Sequence, residues 1–189
     1  NLTIYYKHDE TDHGTYGAYR NSLVTNLATG MLNNRFAEKR NEPNSPFLAS
    51  FAAEQTFIGP KRTFAVISIL KANMIDEGYK STVEEVYRLE QHGFTEGELD
   101  RIKKEMMKNI EQIYNERDKT ESIRYATEYM RNFMHGEGIP GIEHEYELYK
   151  KYIPEITLEE VNNRINELII DENIVITLSL PEQDGIKVP

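Results

Sequence analysis

The run Phe64-Ala65-Val66-Ile67-Ser68-Ile69-Leu70 constrains the fold most. It is apolar at nearly every position, the pattern of a strand covered on both faces. Such a strand needs partners, and three other segments can supply them. Leu2-Thr3-Ile4-Tyr5-Tyr6 is short, β-branched and aromatic, and reads as a strand. Phe47 to Ile58 reads as a longer one, joined to the apolar run through a Gly59-Pro60-Lys61-Arg62 turn. Ile174 to Leu180 forms the last. Between the first two lies a polar loop, His8 to Gly14, and then a helix from about Tyr16 to Lys39. Leu23, Leu27, Met31 and Leu32 recur on one face of that helix. The cluster Asn41-Glu42-Pro43-Asn44-Ser45-Pro46 ends it.

Helices fill the rest. One lies around Val83, Val86, Tyr87 and Glu90 and closes at His92-Gly93, where His92 suits the negative end of the helix dipole. Thr95 and Glu98 have capping-box spacing, and Leu99, Ile102, Met106, Ile110 and Ile113 form one stripe behind them. Asn115 to Lys119 interrupts. Asp118 and Glu121 repeat the capping spacing ahead of Ile123, Ala126, Met130 and Phe133. After a Gly136 to Gly141 break, a Tyr-rich helix runs from about Ile142 to Tyr152, with Pro154 beyond it. Thr157 and Glu160 cap a last helix carrying Val161, Ile165, Leu168 and Ile169. With the extra helices set aside the order is β-α-β-β-α-β, the split βαβ plan. The expected fold is α+β: one sheet, helices mostly on one face, and a helical insert from about Thr82 to Leu168 before the last strand. Residues 1–180 are expected to form a single domain, and 181–189 a linker or tail. The chain opens at Asn1 with no initiator Met and no signal-peptide pattern, as expected of a piece of a longer protein.

The chemistry-bearing residue types narrow the function mainly by exclusion. The 189 residues include no cysteine, which removes disulfides, thiolate zinc fingers, Cys nucleophiles and iron–sulfur clusters. Lys plus Arg is 22 against 32 for Asp plus Glu, a net charge of −10, with no basic patch to offset it; nucleic acid is not an expected partner. No apolar run approaches a membrane span. The histidines are His8, His13, His92, His135 and His144, and no two have the i, i+4 spacing that aims two rings at one ion. His8-Asp9-Glu10-Thr11-Asp12-His13 is rich in ligand types but reads as a solvated connector. There is no G-x-S-x-G elbow and no phosphate-cradling Gly-rich loop. The tyrosines Tyr125, Tyr129, Tyr146, Tyr149 and Tyr152 read as packing between helices. The segment Glu116-Arg117-Asp118-Lys119-Thr120-Glu121-Ser122 has two readings. It is a helix break with a new N-cap at Asp118, or a contact with a neighbouring domain.

Six motifs fall in one order: Met31-Leu32-Asn33-Asn34-Arg35-Phe36, Pro46-Phe47-Leu48, Gly93-Phe94-Thr95-Glu96-Gly97-Glu98-Leu99, Glu116 to Ser122, Gly138-Ile139-Pro140-Gly141-Ile142-Glu143, and Ile156-Thr157-Leu158-Glu159-Glu160-Val161-Asn162. Together they resemble the pitrilysin–insulinase family of zinc metallopeptidases, on its bacterial branch, over most of the chain. The resemblance implies homologous α+β domains that close around an unfolded peptide, of which one type carries the inverted zinc motif. This chain is similar to the second, inactive type. It therefore implies no catalytic residue, no metal ligand and no cofactor here, with zinc in the catalytic domain of the parent protein. It implies a neighbouring catalytic domain or partner subunit and a peptide substrate as partners, and the bacterial cell envelope or periplasm as the compartment. Arg35 and Phe47 lie where related domains touch substrate. Glu116, Arg117, Asp118, Lys119 and Glu121 form the candidate interface segment. The alternative is a docking module of a family member that has lost peptidase activity.

Overall fold

The computed structural model describes residues 1–9, 13–56, 61–170 and 172–180. In chain order the elements are β1 (Leu2–Asp9), α1 (Tyr16–Arg40), β2 (Phe47–Thr56), β3 (Lys61–Leu70), α2 (Ile75–His92), α3 (Glu96–Asn115), a 3-10 turn (Arg117–Lys119), α4 (Ser122–His135), α5 (Ile142–Glu155), α6 (Leu158–Leu168) and β4 (Ile174–Leu178). The sheet order is β2-β3-β1-β4, antiparallel throughout. The apolar run thus takes a central place, and the last strand adds beside the first, as the split βαβ plan requires. The fold class expected from the sequence is the one observed. The chain divides into two compact units.

The first unit contains the sheet, the second half of α1, α2, and the end of α6. Strand alternation sends Leu2, Ile4 and Tyr6 of β1 to the same face as Phe64 and Val66 of β3, all 0–5% exposed. Met31, Leu32 and Phe36 of α1, Leu89 of α2, and Ile165 and Leu168 of α6 complete that core. The opposite face is open: Phe51, Ile69 and Val175 are 37–39% exposed. Among the described residues, that face of β3 is least covered towards its end, where Ile69 is 37% exposed while Ala65 is 0% exposed. A polar thread ties the layers. Ser50 and Ser68 hydroxyls lie 2.8 Å apart, Ser68 and Thr82 hydroxyls 2.9 Å apart, and Thr82 donates to the Gly78 carbonyl at 2.8 Å.

The second unit holds the first half of α1, α3, α4, α5 and the start of α6. Its buried residues include Leu23, Leu27, Leu99, Ile102, Ile110, Leu148, Ile153 and Val161. Two of the three expected capping boxes form. Thr95 accepts from the Glu98 N–H while Glu98 accepts from the Thr95 N–H at 2.8 Å. Thr157 and Glu160 do the same, at 3.2 and 2.8 Å.

Several local readings change. Lys61 and Arg62, expected in a turn, begin β3, and the helical insert starts at Ile75 rather than about Thr82. β1 runs on through His8 and Asp9, which were expected in a loop, because they pair with Arg62 and Lys61 across the strands and Lys61 forms an ion pair with Asp9. Asp118 is not an N-cap. It sits in the 3-10 turn, and Glu121 takes the N-cap position of α4 with no side-chain bond. Pro154 lies inside the last turn of α5 rather than beyond it. β4 ends at Leu178, two residues earlier than expected. Residues 10–12, 57–60 and the expected linker or tail at 181–189 lie outside the described residues.

Candidate functional site

The family-like motifs of the first unit turn out to be clamps. The Asn33 side chain pairs with the β2 backbone, donating to the Ala52 carbonyl at 3.1 Å and accepting from the Ala52 N–H at 2.6 Å. This substitutes a side-chain amide for a missing strand neighbour. Arg35, two residues on, donates to the Gly93 carbonyl at 2.8 Å and lies 4.8 Å from the centre of the Phe94 ring. Phe36 is wholly buried and meets Phe47 edge-on, with ring centroids 6.4 Å apart. Phe47 is 2% exposed and the Arg35 side chain 11%. Of the two residues expected near a substrate, Phe47 offers a peptide no surface from this chain, and Arg35 offers little.

Beside Arg35 sits a buried carboxylate that the sequence did not single out. The Glu85 side chain is 1% exposed. It lies 3.6 Å from Arg35, 3.4 Å from Lys39 and 3.8 Å from Arg88, and among the described residues no group donates a hydrogen bond to either oxygen. Three cations offset one desolvated charge here, through Coulomb attraction rather than hydrogen bonding. On α2, Glu85 reads as one of a Glu84-Glu85 pair on an exposed face; only the arrival of α1 shows that it is enclosed.

In the second unit the polar segment is pinned to α5. Arg117 donates to Glu143 at 3.2 Å and to the Tyr114 carbonyl at 2.8 Å, with its guanidinium 4.4 Å from the Tyr114 ring centre. Tyr114 stacks on Tyr146 at 4.7 Å. Glu116, Asp118, Lys119 and Glu121 are exposed, while Arg117 and Thr120 are half-buried. Nearby, Tyr19 of α1 donates to Glu145 Oε1 at 3.0 Å. Burial pushes the Glu145 carboxyl above its ordinary value of 4.5, against the pull of the Tyr19 hydrogen bond. Burial, and then the nearby Glu145 charge, push the Tyr149 phenol up to about 12. Nothing in the local sequence joins Tyr19 to Glu145, 126 positions apart.

Helix α4 is amphipathic but buries nothing. Ile123, Tyr125, Tyr129, Met130, Phe133 and Met134 are all exposed, Phe133 to 91%. Among the described residues the expected packing of Tyr125 and Tyr129 between helices is not made; Tyr146, Tyr149 and Tyr152 are half-buried. An open cavity of about 340 Å³ lies beside α4, reaching Ile113 of α3 and Ile142 and Glu145 of α5.

The fold and these clamps define a class: an α+β chain in which residues of several motifs pin helix, strand and turn to one another. Among the described residues no three His, Asp or Glu groups converge as a metal site would need. No helix among them is long and apolar enough to cross a membrane. No family model matches the chain. It is 27% identical over 167 residues to an Arabidopsis thaliana protein named "Zinc protease PQQL-like", covering 88% of this chain and 14% of that protein. It is 24% identical over 176 residues to "Probable zinc protease PqqL" of Haemophilus influenzae, covering 89% and 18%. The chain thus spans less than a fifth of these curated relatives. Among solved structures, the first half of the periplasmic protease PqqL from Escherichia coli matches with a TM-score of 0.84 at 12% identity, covering 93% of this chain and 38% of that one. An insulinase family protease from Yersinia pestis matches at 0.73, with 16% identity and 97% and 41% covered. The peptidase M16 inactive domain from Pseudomonas fluorescens matches at 0.63, with 14% identity and 93% and 40% covered. At such identities the structures establish the fold. The resemblance read from the motifs is borne out: the curated relatives bear zinc protease names, and the structural neighbours include an insulinase family protease and an M16 inactive domain.

Two of the five histidines already have a partner at Nε2. His8 Nε2 is 2.9 Å from the Leu168 carbonyl, and His144 Nε2 is 3.1 Å from the Tyr16 hydroxyl.

Proposed function

We propose that the chain is a non-catalytic domain of a zinc-dependent endopeptidase, which supports a zinc-bearing neighbour and forms part of the wall around an unfolded peptide. The similarity to zinc proteases and to inactive M16 domains supports the first half of this reading. The observation that carries it furthest is the outer face of the sheet. Phe51 of β2, Ile69 of β3 and Val175 of β4 are 37–39% exposed on one face, with Tyr5 and Ile67 half-buried between them. An apolar face across four strands is what a packed neighbouring domain covers. In this reading the segment Glu116, Arg117, Asp118, Lys119 and Glu121 is a second point of contact with that neighbour.

The test is direct. Elemental analysis of the purified chain should find well under one zinc per molecule, and the chain alone should cleave no unfolded peptide. Tight, stoichiometric zinc with chelator-sensitive cleavage overturns the proposal.

A further inference from the structure

The cavity beside α4 is lined by apolar Ile113, Ile123 and Ile142 together with charged groups. Its volume of about 340 Å³ is larger than a packing defect and falls in the range of small-ligand sites. Four charged groups line it: Arg124, Glu128, Arg131 and Glu145. They are not equally satisfied. Arg131 donates to Glu137 at 2.9 Å, so its charge is already neutralised. Glu145 accepts one hydrogen bond, from Tyr19, and neither it nor Glu128 has an ion-pair partner within 4 Å among the described residues. Two carboxylates against one uncommitted arginine leave the cavity in need of positive charge. Burial already penalises the Glu145 charge, and an adjoining cation would relieve that penalty.

We infer that this cavity binds an organic cation on an apolar stem, presented as the Lys or Arg side chain of an extended peptide. The isoleucine walls take the methylene stem and the Glu145 carboxylate takes the ammonium or guanidinium head. That the cation arrives on a peptide rests on the chamber-wall reading above; the cavity's demand for a cation does not.

The experiment titrates the full chain, followed by NMR, with acetyl-Ala-Lys-Ala-amide and acetyl-Ala-Arg-Ala-amide, and with the neutral counterparts in which norleucine replaces Lys and citrulline replaces Arg. n-Butylammonium is the peptide-free probe. The basic peptides should bind about tenfold more tightly than their neutral counterparts, the worth of one charge-assisted hydrogen bond. Glu145→Gln should abolish that preference while leaving the far-UV circular dichroism unchanged. The conservative Glu145→Asp should retain part of it, which a merely structural role for Glu145 does not predict. Equal binding of basic and neutral peptides, or a preference that survives Glu145→Gln, overturns the inference. Glu145-dependent binding of n-butylammonium but of no peptide keeps the cation site and removes the chamber-wall reading instead.

Discussion

Gly93 is where the architecture is most exposed to a single methyl group. It follows α2 with φ 63° and ψ −160°, a region open essentially to glycine alone. Its carbonyl accepts from Arg35 and its N–H bonds back to the Leu89 carbonyl at 2.7 Å. A Cβ built at this position stands 2.8 Å from Asn162 Oδ1 and 2.9 Å from Asn162 Cγ. Asn162 cannot simply turn away, because that same Oδ1 accepts the Phe94 N–H at 2.8 Å. Gly93→Ala therefore carries two penalties. Backbone strain at this φ/ψ costs about 1–3 kcal/mol. Displacing Asn162 strands the Phe94 N–H, beside a ring that is 4% exposed, at about 1–3 kcal/mol more. We expect a loss of about 4 kcal/mol. With a urea m-value of about 2 kcal/mol/M, the unfolding midpoint followed by circular dichroism should fall by about 2 M. The companion variant Asn162→Ala removes the obstacle. In that background Gly93→Ala should cost only the strain, so the two substitutions should be non-additive by about 1–2 kcal/mol. A Gly93→Ala loss below about 1 kcal/mol, or strict additivity, refutes the account.

Two further outcomes are expected. Glu85→Gln should destabilise the chain by about 3 kcal/mol in urea unfolding, because it leaves the half-enclosed Arg35 and Lys39 charges facing each other. Arg88→Gln should move it by no more than about 0.5 kcal/mol, since that side chain is 64% exposed. Two carboxylates of the second unit should give opposite pH slopes. Glu160 is held below 4.5 by its 2.7 Å pair with Arg20, so its contribution is present above that value and is lost as pH falls through the lower folded value. Glu145 is held above 4.5 by burial, so the folded state binds its proton more tightly and stability declines as pH rises through that raised value. Unfolding midpoints from pH 3 to 7 should therefore show Glu145→Gln gaining on the parent chain as pH rises, and Glu160→Gln gaining on it as pH falls. Parallel curves refute both assignments.

The sheet was legible because each strand announced itself locally and the βαβ order left few ways to pair them. The helix starts at Thr95 and Thr157 were legible for the same reason: a capping box closes within four residues. What failed locally failed for non-local reasons. His8 and Asp9 look like loop until Arg62 and Lys61 come opposite. Asp118 has the right spacing for a cap, yet the 3-10 turn uses that residue first. Arg35 read as a residue for substrate because it lies where related domains touch substrate, and its contacts within the chain were not legible. Among its partners in the fold, Gly93 and Phe94 lie nearly sixty positions away. Two of the motifs prove to be halves of one device, since Asn162 at the end of the last reaches the Phe94 of the third. Order along the chain carried the resemblance, but only the fold shows that the order encodes mutual clamps.

Helix α4 carries the same lesson in the opposite direction. The spacing of Ile123, Met130 and Phe133 states correctly that one face of a helix is apolar, and the helix forms where expected. Periodicity states which face would be covered and is silent on what covers it. In α3 the equivalent stripe places Leu99, Ile102 and Ile110 in the interior, because α5 packs against it. In α4 it leaves Phe133 at 91% exposure. The sequence signal is alike in the two helices, so the difference lies in the supply of a partner surface. A hydrophobic stripe is a statement about free energy still to be gained, and burial follows only where the fold brings up a second apolar surface to gain it.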